Sequence, residues 1–246
     1  MTDDSYGRDS DDAHIVSSYD EELADLQRLV ADMGAMAAHQ VESAVNALMQ
    51  GDVGIARNII HRDRRMNELD MEGKERVVAL FAARAPLAKD LRLVISLHNV
   101  VDILERVSDA AKAISEIVVH LFEEERLPPT PELMRDVTHM GTLAVSMLRE
   151  ALTALANQDV DLAVVTVQHD VDMNAEFRSA LRRLATFLLE DMRNLSHSID
   201  MVFVLKSLER VSDYARNICE HLIYAVKGKD VRYIHPDHLS GGYLDA

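Results

Sequence analysis

Tryptophan is absent from this chain, cysteine occurs once, at Cys219, and aromatic residues make up only 4% of 246 positions. One cysteine excludes an internal disulfide framework, and no cysteine–histidine cluster has the spacing of a structural zinc site. Nine glycines and five prolines are too few for a loop-rich fold, while Ala, Leu, Val, Glu and Arg abound, a balance that favours long helices over sheets. Gly-rich phosphate loops and a Gly-x-Ser-x-Gly elbow are both missing, so no enzyme signature appears. No uncharged apolar run approaches the roughly 20 residues of a membrane span, and Met1 to Asp12 is acidic rather than a basic-then-apolar leader. Positive charge is also short, with 26 basic against 42 acidic residues and a formal net charge of -16. Nucleic acid and anionic lipid are therefore poor partners, and cations or basic protein patches are better ones. The expectation from these absences is a cytoplasmic protein with no membrane insertion.

What remains is a chain that is 48% hydrophobic, ample for a core, with its apolar residues at helical spacing. Residues 1–18 are acidic and nearly free of apolar side chains, the composition of a disordered tail. A first helix is expected from about Tyr19 to Met49, ended by Gly51, with Asp52 capping the next. The second, about Val53 to Ala83, has Ile55, Ile59, Met66, Leu69, Val77 and Leu80 as its inward face. The Ala85-Pro86 step breaks it and opens a third helix to about Phe122. The Pro-rich segment near 125–131 reads as a linker. Beyond it, Pro131 to Ala156, Asp159 to Met192 and Ser196 to Lys227 repeat the plan, with Gly228 as the stop. Short connections make neighbouring helices antiparallel, so the expectation is all-α: two tandem, pseudo-symmetric three-helix bundles over 19–124 and 132–228, with a tail over 229–246 that lies along the surface or is mobile.

The repeat is explicit in LERVSDAAKAI, Leu104 to Ile114, and LERVSDYARNI, Leu208 to Ile218, identical at eight of eleven positions and 104 residues apart. Glu105 and Asp109, like Glu209 and Asp213, are four apart, which puts both carboxylates of a pair on one helix face. Leu104, Val107, Ala111 and Ile114 project to the opposite sector, as do Leu208, Val211, Ala215 and Ile218, so the acids should face away from the core. On the middle helix of each half, Asp63, Met66 and Asn67 return as Asp170, Met173 and Asn174, offset by 107 residues. Carboxylates clustered without Cys or His are hard donors suited to Mg²⁺, Mn²⁺, Ca²⁺ or iron. The competing reading is salt bridging, since Arg106, Lys112, Arg210 and Arg216 lie close in sequence to the acids. No Glu has His three positions on, which disfavours a ferritin-like di-iron centre. Cys219 and the twelve methionines read as core.

Four elements together carry a resemblance. They are DxxxN on each middle helix, P-x-x-x-D-L-R at Pro86, Asp90, Leu91 and Arg92, the doubled LERVSD, and GKDVRY from Gly228 to Tyr233. The chain resembles the PhoU family of phosphate-uptake regulators over about residues 19–235. That resemblance implies two side-by-side three-helix bundles, each with a metal patch built from acidic motifs on adjacent helices. By motif, the candidate metal residues are Asp63, Asn67, Glu105 and Asp109 in one patch and Asp170, Asn174, Glu209 and Asp213 in the other. The bound ion would be Mg, Mn or Fe. Asn67 and Asn174 stand where the family can have a further carboxylate, and the Asp-Leu-Arg element is not repeated in EDMRNLSHSIDMV, residues 190–202.

The resemblance further implies a non-catalytic regulator that restrains phosphate uptake and starvation signalling. It would do so by coupling the phosphate-specific ABC transporter to a sensor histidine kinase at the inner membrane face. A homodimer is expected, because the family commonly dimerises and long amphipathic helices leave an apolar flank to bury. The alternative class is a carboxylate-rich helical metal-binding protein, a metal store or metalloenzyme.

Overall fold

The computed structural model describes residues 8–84, 88–123, 131–190, 195–239 and 244. Six helices follow in order: α1 Arg8–Gln50, α2 Val53–Arg84, α3 Ala88–Glu123, α4 Pro131–Asn157, α5 Val160–Glu190 and α6 Leu195–Lys227, then a short 3-10 turn at Pro236–His238. Among the described residues there is no strand. The fold is all-α, as expected. The helix α1 begins at Arg8, inside the acidic segment before Tyr19, where neither glycine nor proline interrupts the backbone. Most of the expected linker, and Pro86, lie outside the described residues.

Two turns of matching geometry join the first two helices of each half. The Asp52 amide donates to Ala47 O and the Asp159 amide to Ala154 O, both at 2.9 Å. Asp52 Oδ1 then accepts the Ile55 amide at 2.9 Å and Asp159 Oδ1 the Leu162 amide at 3.0 Å, capping α2 and α5. Between helix and cap the backbone turns left-handed, at Gly51 (φ 66°) in one half and Gln158 (φ 52°) in the other. Gly228 (φ 73°) ends α6.

The helices α3 and α6 form the centre of the molecule. They pack on each other, with α1 and α2 against α3, α4 and α5 against α6, and α1 meeting α4 where the halves join. Leu104, Val107, Ala111 and Ile114 are fully buried, as are Leu208, Val211, Ala215 and Ile218. The inward face of α2 is as expected except at Ile55, which is 37% exposed in the first turn, next to the Asp52 cap. Ser96 Oγ donates to His221 O at 3.0 Å, a polar link between the central helices. Cys219 is buried, and burial pushes its thiol up to about 12, so it stays a protonated core residue. The C-terminal segment is more firmly held than its composition suggests: Val231 and Leu239 are buried and the 3-10 turn packs on α5.

The two turns should respond oppositely to substitution. A non-glycine residue in the left-handed region is strained by roughly 1–2 kcal/mol, and glycine gives back about 0.5–1 of that in chain entropy. Gln158→Gly is expected to stabilise by about 0.5 kcal/mol and Gly51→Ala to destabilise by about 1 kcal/mol or more, since its Cβ would also lie 2.9 Å from the Phe122 ring. Urea midpoints of the two variants would check both signs.

Candidate functional site

With the aliphatic stripes of α3 and α6 committed to the core, their acid-bearing faces turn toward α2 and α5. Lys112 on α3 reaches Asp63 on α2, Nζ to Oδ2 2.8 Å. Arg216 on α6 reaches Asp170 on α5, Nη1 to Oδ2 2.8 Å. Lys112 and Arg216 are equivalent positions of the repeat, and so are Asp63 and Asp170, so each half carries the same interhelical ion pair. Asn67 and Asn174 donate from one turn on to the same Oδ2 atoms, at 3.5 and 3.0 Å, and Asn174 also donates to Asp170 O at 2.9 Å. The asparagines thus act as hydrogen-bond donors to their aspartates. Asp63 and Asp170 are 6% and 3% exposed, and the Oδ1 atom of each has no hydrogen-bond partner.

The acid motifs themselves are less exposed than a helical projection suggests. Asp109 is exposed, Glu105 and Asp213 are half-buried, and Glu209 is buried at 8% exposure, as is Glu220 beyond it. The packing of α2 and α5 across these faces is what removes them from water. Burial raises the Glu105 carboxyl above its ordinary range, with Asp109, Asp70 and Asp102 adding to the effect and Lys74 opposing it. Burial likewise raises Asp213, reinforced by Glu209 and Asp170 and opposed by Arg216 and Lys206. Asp170 is raised by burial against the pull of Arg216, and Glu220 in the same way. The acids that act on one another are thus Asp170, Glu209 and Asp213 in the second half, and Glu105 with Asp109, Asp70 and Asp102 in the first.

Several participants have no place in the repeat motif. Lys74 on α2 donates to Asp70 at 2.8 Å and to Asp102 on α3 at 3.4 Å, and Arg106 binds the other Asp102 oxygen at 3.0 Å. In the second half Lys206 donates to Glu209 and lies 5.5 Å from the centroid of Phe177. The only sequence signal for the first group is the i, i+4 spacing of Asp70 with Lys74 and of Asp102 with Arg106, common on any charged helix. At the far end of the central pair, the Arg92 guanidinium packs on Gly228, where a Cβ would lie 3.4 Å from Arg92 Cζ. This brings together two motif elements from different halves of the chain.

A hard divalent ion requires six or more convergent oxygens, some from water. Among the described residues, no three acid, histidine or cysteine side chains converge as a metal ligand set. The buried acids instead meet ammonium, guanidinium and amide donors.

The class is thus a tandem pair of three-helix units whose third helices form a shared centre and present matched, internally paired acid turns. The PhoU domain profile matches residues 30–118 and again 137–222, and the chain belongs to the PhoU family. It is 38% identical over 227 residues to the Pseudomonas aeruginosa phosphate-specific transport system accessory protein PhoU homolog, covering 92% of this chain and 93% of that one. It is 31% identical to the Escherichia coli phosphate-specific transport system accessory protein PhoU, covering 92% of each. The crystal structure of PhoU from Pseudomonas aeruginosa superposes with a TM-score of 0.82 at 37% identity, over 86% of this chain and 100% of that one. The phosphate transport system regulatory protein PhoU from Streptococcus pneumoniae gives 0.78 at 27% identity, over 87% and 99%.

The raised carboxyl of Asp213 has a defined linkage sign. Its folded value lies above the unfolded one near 3.9, so as pH falls the folded state takes up the proton first. Its contribution to stability is greatest below the unfolded value and is lost as pH rises through the folded one. Asp213→Asn should therefore be more stable than wild type at pH 7, with the difference shrinking by pH 4.5 in urea denaturation. A difference that widens on acidification would show that Asp213 is stabilised as the carboxylate.

Proposed function

We propose that this protein is a non-catalytic regulator of phosphate homeostasis, restraining phosphate uptake and phosphate-starvation signalling. In this reading it works in the cytoplasm as the accessory subunit of a phosphate-specific ABC transporter, linking it to a sensor histidine kinase. The observation that carries the reading is the near full-length match to proteins named as accessory to phosphate-specific transport.

The physical features are compatible with an adaptor. Among the described residues no helix is long and apolar enough to cross a membrane, so association with a transporter would run through protein contacts. Leu195, Ile199 and Phe203, one turn apart along α6, are 46%, 47% and 59% exposed, an apolar strip suited to a partner or to a second copy in a homodimer.

Deleting the gene in phosphate-replete cells should raise expression from phosphate-starvation promoters several-fold, and a plasmid copy should restore it. Unchanged reporter expression together with unchanged phosphate uptake would sink the proposal. Affinity capture with the transporter ATPase and the kinase as separate baits tests the linkage.

A further inference from the structure

The helices lie in two layers. In one, α2, α3, α6 and α5 succeed one another side by side, while α1 and α4, which touch each other, pack together over one side of them. Among the described residues no further α-helix covers the other side. Because α3 and α6 are flanked and backed by other helices, their exposed residues open onto that uncovered face, Ile95 and Arg106 from α3 and Ile199, Phe203 and Arg210 from α6. The two run antiparallel, with Ser96 against His221 and Arg92 against Gly228, so the face has two ends related by the repeat. One is built by α2 with the first half of α3, the other by α5 with the first half of α6.

Both ends are apolar, and their charges are opposite. At the first, Met71, Val78 and Ile95 are exposed; at the second, Leu189, Leu195, Ile199 and Phe203. The segment ELDMEGKERVV of α2, residues 68–78, has four acids and two bases, whereas its counterpart AEFRSALRRLA of α5, residues 175–185, has one acid and three arginines. By the offsets of 107 and 104 residues, Glu75 corresponds to Arg182 and Asp102 to Lys206. Packing does not ask for this reversal, since the buried positions beside it match, Val77 with Leu184 and Gly73 with Ala180. Glu75, Arg178 and Arg182 are exposed and, among the described residues, enter no ion pair. Their charges are uncommitted within the chain.

A face with an acidic apolar end and a basic apolar end complements itself. A two-fold axis in the plane of the face, perpendicular to the line joining its ends, sets each end of one copy on the opposite end of another, an isologous and closed contact. Repulsion between like-charged ends fixes that register. An anionic membrane is a poorer occupant, because only one end is basic and the chain carries a formal net charge of -16. We infer that two copies of this chain meet through the uncovered face of α2, α3, α6 and α5, Glu75 of each opposite Arg178 and Arg182 of the other. The Phe203 strip of each copy then covers Met71, Val78 and Ile95 of the other. This gives a place to the homodimer included in the proposed function and rests on that part of it alone; promoter response and oligomeric state are measured separately.

Sedimentation velocity of the full-length protein tests the interface. Wild type is expected to be a dimer at tens of micromolar. Glu75→Arg and Arg182→Glu, each with unchanged helical circular dichroism, should dissociate, with Kd raised about tenfold or more. Mixed in equal amounts, the two variants should recover dimer, because each then offers the other an end of opposite charge, whereas damage to the fold is not rescued by mixing. Should one reversal fail to fold, Phe203→Ser decides, and a dimer that it leaves intact overturns the inference. A dimer indifferent to both reversals, or dissociation that mixing does not reverse, overturns it too. So does monomeric wild type, with binding to phosphatidylglycerol vesicles that is lost in Arg182→Glu then marking the basic end as a membrane contact.

Discussion

The aliphatic contact between α3 and α6 is the constraint from which the rest of the molecule follows. Leu104, Ile114, Leu208 and Ile218 are fully buried there, and each contributes roughly 1.5–3 kcal/mol relative to exposure. Facing inward, these residues leave the opposite side of each helix no choice but to meet the other helices of its own half. That opposite side carries the acid turns. Burying carboxylates is costly unless they are paired, and the ion pairs to Asp63 and Asp170 answer that cost in both halves alike. The packing of the central helices therefore explains both why the acids are partly withdrawn from water and why cations accompany them.

Much of this was legible in the residue order. Helical spacing, the Gly51 and Asp52 stop-and-cap and the eight buried stripe residues all follow from local rules that tertiary structure had no reason to override. The pairing of Asp63 with the third helix was also accessible, because its recurrence at Asp170 with a different offset implied two helices acting together. Other features were not. Projection of one helix placed Glu209 toward solvent, since it cannot see α5 lying across that face. Lys74 and Lys206 were invisible to a search for repeats, because they occupy non-equivalent positions. Asp102 belongs to no motif, and only the structure shows Lys74 and Arg106 on its two oxygens. The C-terminal segment lacks any period, so nothing local foretold that Val231 and Leu239 would be buried.

Asn67 and Asn174 illustrate how residue identity and geometry combine. By sequence they are positions where a carboxylate is missing. In the structure each amide supports the aspartate one turn before it, alongside the lysine or arginine from the third helix. Membership of the PhoU family sets the architecture, and these departures describe how one member balances charge within it.

The exchange of sign between Asp102 and Lys206 has a consequence for the history of the duplicated chain. Once one half holds its ammonium on the middle helix and the other on the third, neither helix can be copied across by recombination without leaving a patch with two ammonium groups or with none. Two units built to one plan are, at this position, parts that do not interchange.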